Sequence, residues 1–161
     1  MDSQQRPLNS EFLFHIDMEA LPGLDIGKTP RGWRRIDRIK KGWFEGPRIK
    51  GTVVTATDHL LVMRDNTSRP DVRAILQADD GTLIQMTYQG IVAGPEEQLK
   101  KLGQRQQVDP ATYYMRNAIF FETAMGGPHA WLNSTLAVGL GAVRIQEDKS
   151  FAVRYTVHRI L

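Results

Sequence analysis

The chain has 161 residues and a mass of 18.2 kDa, which is enough for one domain with a sizeable core and too short for two. Its hydrophobic content of 41% and charged content of 24% are those of ordinary globular proteins, which excludes disordered and fibrous classes. The absence of cysteine excludes disulfides, a thiol nucleophile and thiolate metal sites. The net charge is only +3, although eight of the 21 basic residues lie within residues 31–50, where a local basic patch is possible.

The first residues, MDSQQRPLNSEF, lack the basic and apolar segments of a secretory signal. No apolar run approaches the roughly 20 residues that span a bilayer. We therefore expect a cytoplasmic protein with no membrane partner. Residues 1–161 are expected to form a single barrel domain in which residues 1–10 are a flexible tail.

Most of the chain is predicted to form short β-strands. In EFLFHIDME the residues Phe12, Phe14 and Ile16 alternate, which is typical of a half-buried strand. Further strands are predicted near residues 32–40, 42–57 with an interruption, 71–79, 82–93, 116–124, 131–146 and 151–160. The pair Asp80-Gly81 predicts a hairpin, because Asp-Gly suits the positive-φ positions of a type I′ turn.

One short helix is predicted near residues 95–103. Pro95 suits the first turn, acidic residues follow it, lysines come late, and Gly103 is suited to the end. Seven to nine strands with one helix predict an all-β fold, a single-domain antiparallel β-barrel of about eight strands or more, because closure removes exposed edges. A two-sheet sandwich is the alternative. The irregular stretches 20–30, 58–70 and 104–113 are expected to surround a barrel mouth.

The stretch Lys41–Val54, KGWFEGPRIKGTVV, combines glycines, aromatic residues and basic residues. Adjacent strand residues such as Trp43 and Phe44 point to opposite faces, so they cannot form one platform for stacked bases. The glycine spacing also matches no phosphate-binding loop. We therefore interpret Gly46-Pro47 and Gly51 as corners of a barrel, and we expect no nucleic-acid partner.

The sequence indicates neither a metal site nor a cofactor. The four histidines are scattered, nothing resembles the HExxH motif, and no GxSxG motif is present. We therefore expect no metal, no cofactor and no serine triad.

Carboxylates are the more promising candidates for chemistry. Glu122 shares a strand face with Ala118 and Phe120, and burial on an apolar face would raise its pKa and suit it to acid/base work. A buried ion pair with an arginine such as Arg73 or Arg116 is the alternative. Asp58 follows Val54 and Ala56 on one face of its predicted strand and is expected to end that strand at the barrel mouth. There it is either a second acid/base candidate or an ordinary turn carboxylate.

Aromatic and amide side chains are candidates for ligand binding. Trp131 and Asn133 alternate onto one face of their predicted strand, as a flat, oxygenated ligand would require. A tryptophan that fills the core is the alternative. Tyr88 and Tyr114 could add hydroxyl groups, and His59 follows Asp58 at the predicted mouth.

Several segments carry a resemblance to a known family. GWRRIDRIKKGWFEGPRIKGTVVTATDH, DVRAILQADDGTLIQMTYQG and YYMRNAIFFETAMGGPHAWLNSTLAVG, in this order, resemble the domain-of-unknown-function family 3237 of small bacterial and fungal proteins. The most specific pieces are FEGP, VR, DDG, FET and AWLN. The resemblance covers the chain from about Leu13 to the C-terminus.

The resemblance implies an all-β barrel and a homodimer or higher homo-oligomer, without an established reaction. This chain departs from the family pattern at Lys41, where Gly is usual, and at His59, where Trp is common. The polar positions that recur in the family pattern are Asp58, Arg73, Asp80, Glu122, Trp131 and Asn133, and Asp80 is explained by its turn.

Three functions follow as hypotheses. The first is a cofactor-independent isomerase, cyclase or dehydratase that acts on an aromatic or polyketide-like compound. In it Glu122 or Asp58 is the acid/base, Arg73 stabilises an oxyanion, and Trp131, Asn133, Tyr88, Tyr114 and His59 bind the small molecule. The second is a barrel that carries or senses such a ligand without changing it. The third, nucleic-acid binding by residues 31–50, would be strongly salt-dependent.

Overall fold

The computed structural model describes residues 6–161, so the first half of the expected flexible tail lies outside the described residues. The described residues form ten β-strands, one α-helix and two short 3₁₀ turns, at Pro110–Thr112 and Ala130–Ser134. The strands are β1 (Ser10–Ala20), β2 (Leu24–Thr29), β3 (Gly32–Glu45), β4 (Lys50–Val62), β5 (Ser68–Arg69), β6 (Asp71–Ala78), β7 (Leu83–Ala93), β8 (Tyr114–Thr123), β9 (Leu136–Ile145) and β10 (Phe151–Ile160). The helix α1 spans Glu96–Gly103.

Eight strands close into an antiparallel barrel in the order β3-β1-β10-β9-β8-β7-β6-β4, and β4 pairs with β3 to complete the ring. The remaining two strands are accessory. β2 forms a hairpin with the first half of β3, and the two-residue β5 bridges β4 and β7. The predicted fold class, an antiparallel β-barrel of about eight strands with one short helix, is confirmed.

The barrel interior is lined mainly by apolar side chains that alternate along the strands. At one end, the rings of Phe14, Phe44 and Phe121 pack with centroid distances of 5.4 Å and 6.1 Å. A bulge between Phe12 and Phe14 turns Phe12 away from this cluster and against His158. The predicted common face of Phe12, Phe14 and Ile16 is therefore wrong for Phe12, because one extra residue reverses the alternation.

The structure corrects several predicted boundaries. Residues 24–29 form a strand where an irregular stretch was expected, and β4 continues to Val62 instead of ending at Asp58. Residues 130–134 form a 3₁₀ turn, so the predicted strand 131–146 begins only at Leu136. The Asp80-Gly81 hairpin is confirmed, but only Gly81 has a positive φ, of 88°, so the turn is not type I′.

The stretch Lys41–Val54 forms a corner of the barrel, as we expected, and its two aromatic side chains point to opposite faces of the sheet. Phe44 is 1% exposed inside the barrel, whereas Trp43 is 41% exposed on its outside. Gly46 donates its backbone N–H to the Ile49 carbonyl at 2.9 Å and so forms the turn between β3 and β4. At Gly51 the neighbouring strand passes so close that an added Cβ would lie 2.0 Å from the Gln77 carbonyl oxygen.

Replacing Gly51 by Ala is therefore expected to lower the free energy of unfolding by about 3 kcal/mol or more, because the new methyl group meets backbone rather than a movable side chain. Urea denaturation measures the effect. Gly103→Ala is the matched control, since an added Cβ there meets nothing within 4 Å. We expect that control to change stability by no more than about 1 kcal/mol. Equal effects of the two substitutions would contradict the prediction.

No helix within residues 6–161 is long and apolar enough to cross a membrane.

An internal cavity beside Asp58

A cavity of about 350 Å³ lies inside the barrel, at the end covered by α1 and by residues 66–70. Most of its walls are apolar, and α1 contributes Leu99 and Leu102. The polar side chains at its walls include Arg35, Asp37, Asp58, Tyr88 and Tyr155. A largely apolar cavity with a few convergent polar groups is typical of a small-molecule site.

Strand register brings three of these polar groups into one row. Asp37 on β3 pairs directly with Asp58 on β4, Asp58 pairs with Val72 on β6, and Val72 pairs with Tyr88 on β7. Directly paired residues have their Cβ atoms about 5 Å apart on the same face of a sheet. The row therefore crosses four neighbouring strands of the cavity wall.

A bulge sets the direction in which Asp58 points. The register of β4 against β6 shifts between Val53 and Thr55, so Val54 is exposed while Val53 and Ala56 are both buried. After the bulge the even-numbered residues Ala56, Asp58 and Leu60 line the cavity. The predicted shared face of Val54, Ala56 and Asp58 is wrong for Val54 for this reason.

The Asp58 carboxyl group has a strongly raised pKa. Burial raises its pKa from 3.8 to about 7, because the apolar cavity disfavours the charged form. The backbone N–H of Asp71 donates to Asp58 Oδ1 at 3.0 Å, and this hydrogen bond lowers the pKa of Asp58. Smaller contributions come from Asp37, which raises the pKa, and from Arg35, which lowers it.

Arg35 and Asp37 form a two-pronged ion pair at the cavity wall. Arg35 Nε donates to Asp37 Oδ1 at 2.9 Å, and Nη2 donates to Oδ2 at 2.8 Å. The guanidinium also lies 4.7 Å from the centre of the Phe151 ring. Gly23 passes directly over the pair, since an added Cβ would lie 2.5 Å from Asp37 Oδ1. The arrangement holds a positive charge beside Asp58 in a defined orientation.

Tyr88 and Tyr155 are packed against each other in the cavity wall, with ring centroids 5.4 Å apart. Both side chains are buried, and burial raises both pKa values further above 10. Both hydroxyl groups therefore keep their protons at neutral pH and can donate hydrogen bonds to an oxygen of a ligand. Tyr88, which was predicted to bind a ligand, lines this cavity.

The predicted catalytic residues Glu122 and Arg73 do not reach this cavity. Glu122 does share a face with Ala118 and Phe120, but that face is the outside of the barrel, and Glu122 is exposed. The expected burial of Glu122 is therefore wrong. Arg73 is also exposed on the outer surface, where it lines an open groove with Arg34 and Arg69.

The predicted binding residues are also dispersed, except for Tyr88. Trp131 lies in the 3₁₀ turn, with the Arg48 guanidinium 3.8 Å above its ring. Asn133 bonds the backbone of Thr123, accepting from its N–H at 2.8 Å and donating to its carbonyl at 3.0 Å. Tyr114 and His59 are exposed on the outer surface. None of these four side chains lines the cavity described above.

Three of the cavity residues were not predicted from the sequence: Arg35, Asp37 and Tyr155. The sequence did carry a signal, because Arg35, Asp37 and Ile39 alternate along β3, and Tyr155 alternates with Val153 and Val157 along β10. In a strand rich in Arg and Lys, however, the sequence pattern of an inward-facing ion pair is the same as that of a solvent-exposed face. A fourth overlooked residue is Asn117, whose side-chain amide is buried next to the Tyr155 hydroxyl group.

Within the described residues, no three His, Cys, Asp or Glu side chains are grouped in a way that could hold a metal ion.

Comparisons with known proteins place the chain in a family. The family model described as "Protein of unknown function (DUF3237)" matches residues 8–160. The UPF0311 protein RPA1785 of Rhodopseudomonas palustris is 31% identical over 137 residues, which are 84% of this chain and 88% of that protein.

Solved structures support the same grouping. The crystal structure of RPA1785 has a TM-score of 0.88 at 30% identity and covers 98% of this chain and 100% of that one. A β-barrel like protein from Acinetobacter baumannii AYE has a TM-score of 0.82 at 32% identity, covering 99% and 100%.

A structure described as an enzyme from Penicillium herquei is also similar, with a TM-score of 0.69 at 22% identity and complete coverage of both chains. This likeness shows the common fold. Together with the family match over residues 8–160, the comparisons establish that the chain belongs to the DUF3237 family of proteins of unknown function.

Proposed function

We propose that the protein is a cofactor-independent enzyme that moves a proton on an enolisable aromatic or polyketide-like compound, in an isomerisation, cyclisation or dehydration. Asp58 is the acid/base in this proposal. Arg35, Tyr88 and Tyr155 stabilise the oxygen on which negative charge develops. These residues replace the sequence-based candidates Glu122 and Arg73, which lie on the outside of the barrel.

The observation that carries the proposal is the Asp58 carboxyl group inside an apolar cavity with a pKa of about 7. A general acid or base is most effective when its pKa lies near the working pH, because both protonation states are then accessible. A carboxyl group with an ordinary pKa would be a much weaker base. Perturbed carboxyl groups in cavities are candidates for catalysis for this reason.

The proposed step begins with the ionised Asp58. One carboxylate oxygen takes a proton from a carbon next to a substrate carbonyl, and the C–H electron pair forms a carbon–carbon double bond while the carbonyl π electrons move to oxygen. The resulting enolate oxygen accepts hydrogen bonds from the tyrosine hydroxyls or from Arg35 Nη1, which has no hydrogen bond within the described residues. Neutral Asp58 then returns the proton to another carbon, as in isomerisation, or to a departing hydroxyl group, as in dehydration.

The cavity supports the substrate class. Its volume of about 350 Å³ is at the small end of the range for small-molecule sites, and its walls are mainly aliphatic with the polar groups on a few strands. A compact bicyclic compound with one or two oxygens matches this distribution. The barrel of the Penicillium herquei enzyme supports the idea that this fold can host an enzyme.

Deuterium exchange on 2-tetralone, a bicyclic ketone with acidic C–H groups, tests the proposal. We expect the protein to speed up incorporation of solvent deuterium at the carbon next to the carbonyl, measured by NMR. The rate should rise with pH through about 7, since the base must be ionised. Glu45→Gln is the control, because Glu45 is exposed on the outside of the barrel, and its exchange rate should match that of the unmodified chain.

Two results would contradict the proposal, the first its catalytic function and the second the role of Asp58. Binding of 2-tetralone without any exchange would favour the carrier or sensor function. Exchange that does not depend on pH between 5 and 9 would show that a group other than Asp58 takes the proton.

A further inference from the structure

The outer face of β7, β8 and β9 carries an apolar patch. Four large side chains on it are exposed: Ile91 (42%), Phe120 (57%), Leu136 (43%) and Leu140 (40%). Strand register places Phe120 beside Leu136, and it places Arg116 between Ile91 and Leu140. Ala118 and its partner Val138 fill the centre. Apolar patches of this kind on globular proteins commonly mark contact sites.

Polar side chains surround this patch, which we call the β8 patch. On the β7 side the border consists of Gln85, Thr87 and Gln89, which pair in this order with Glu122, Phe120 and Ala118. On the β10 side it consists of Thr156 and His158, which pair in this order with Leu140 and Val138. An apolar centre within a polar rim is the usual arrangement of a protein–protein interface.

The charges on β8 are placed symmetrically. Arg116 and Glu122 lie three residues to either side of Ile119 on the outer face of the same strand, about 20 Å apart. Neither side chain has an ion-pair partner within residues 6–161. The Arg116 guanidinium lies 4.9 Å from the centre of the Tyr114 ring and donates a hydrogen bond to the Met115 carbonyl at 2.9 Å.

We propose that the β8 patch binds a second copy of this chain through a two-fold axis that passes beside Ile119. Such an axis runs the two β8 strands antiparallel, places Phe120 of one copy over Ala118 of the other, and brings Arg116 of each copy to Glu122 of its partner. The patch is thus complementary to itself in both shape and charge, which a two-fold interface requires. Two packed sheets cross at about 30°, an offset that the long Arg side chain can span.

A charge-swap series measured by sedimentation velocity over a dilution series tests the proposal. The unmodified chain is expected to be a dimer. Phe120→Asp should weaken dimerisation roughly 30-fold or more, since it places a charge at the centre of the patch. Arg116→Glu and Glu122→Arg should each weaken it, because like charges then meet, and the double substitution should restore it. Val54→Asp, at an exposed apolar residue on β4, is the matched control and should leave the dimer unchanged.

A chemical cross-link provides a second measurement, because the chain has no cysteine of its own. Ala118→Cys should be joined to its partner by a short bis-maleimide reagent, whereas Val54→Cys should not. A monomeric unmodified chain would overturn the proposal, as would a dimer that survives Phe120→Asp. Failure of the double charge swap to restore a dimer lost in both single variants would overturn the two-fold pairing of Arg116 with Glu122.

Discussion

Asp58→Asn is expected to slow deuterium exchange on 2-tetralone by roughly 10²- to 10⁴-fold, the usual contribution of a general base. The substitution keeps the shape of the side chain, and the amide oxygen can still accept the N–H of Asp71 that now reaches Asp58 Oδ1 at 3.0 Å. Loss of activity would therefore reflect the lost base rather than a displaced strand. A variant that keeps more than a tenth of the exchange rate would exclude Asp58 as the base.

The same variant should be more stable than the unmodified chain at alkaline pH. The pKa of Asp58 is 3.8 when the chain is unfolded and about 7 when it is folded, so the folded state holds the proton more tightly. Stability must then fall as the pH rises from about 4 to about 7, because ionisation inside the cavity is unfavourable. Asp58→Asn removes this loss, on the order of 2–4 kcal/mol at pH 8, and should have little effect below pH 4. Thermal denaturation of the variant and of the unmodified chain, at pH 8 and below pH 4, measures the difference in stability.

Asp37→Asn is expected to have the second large effect, a loss of about 3 kcal/mol in the free energy of unfolding. The substitution leaves the Arg35 guanidinium, whose side chain is only 18% exposed, without its counter-charge. Asp79→Asn is the matched control, because the Asp79–Lys50 pair has an N···O distance of 3.7 Å and both side chains are more than half exposed. That control should cost less than about 1 kcal/mol in urea denaturation.

Asp37→Asn should also move the pH dependence of exchange toward lower pH. The negative charge of Asp37 raises the pKa of Asp58, and Arg35, once freed from Asp37, would favour the ionised form of Asp58 further. A purely structural role for Asp37 would lower stability without moving the midpoint of the pH profile. An unchanged or higher midpoint would therefore show that the ion pair does not act on Asp58.

The proposed dimer gives Glu122 a different role from the predicted one. Sequence alternation correctly grouped Glu122 with Ala118 and Phe120, but it could not say whether that apolar face was the inside or the outside of the barrel. Both faces of β8 carry large apolar residues, since Ile119 and Phe121 are buried while Phe120 is exposed. A sequence pattern alone does not separate a core face from a contact face.

Local sequence determined the architecture of this protein. The alternating strands, the Asp80-Gly81 hairpin, the helix at Glu96–Gly103 and the corner at Gly46 all depend on interactions between near neighbours, and the structure contains each of them. The type I′ geometry was wrong because Asp80 does not adopt the positive φ that this turn needs.

Only the tertiary structure decided which polar residues meet. The bulge in β4 turns Asp58 inward, and the pairing of β3 with β4 brings it to Asp37. The closing of the barrel also brings Tyr88 against Tyr155, 67 residues further along the chain. A single inserted residue moves every later side chain of the strand to the opposite face of the sheet. Closure of the barrel joins strands that are far apart in sequence. Neither effect leaves a local sequence signal, so the residues that line the cavity could not be predicted from the sequence alone.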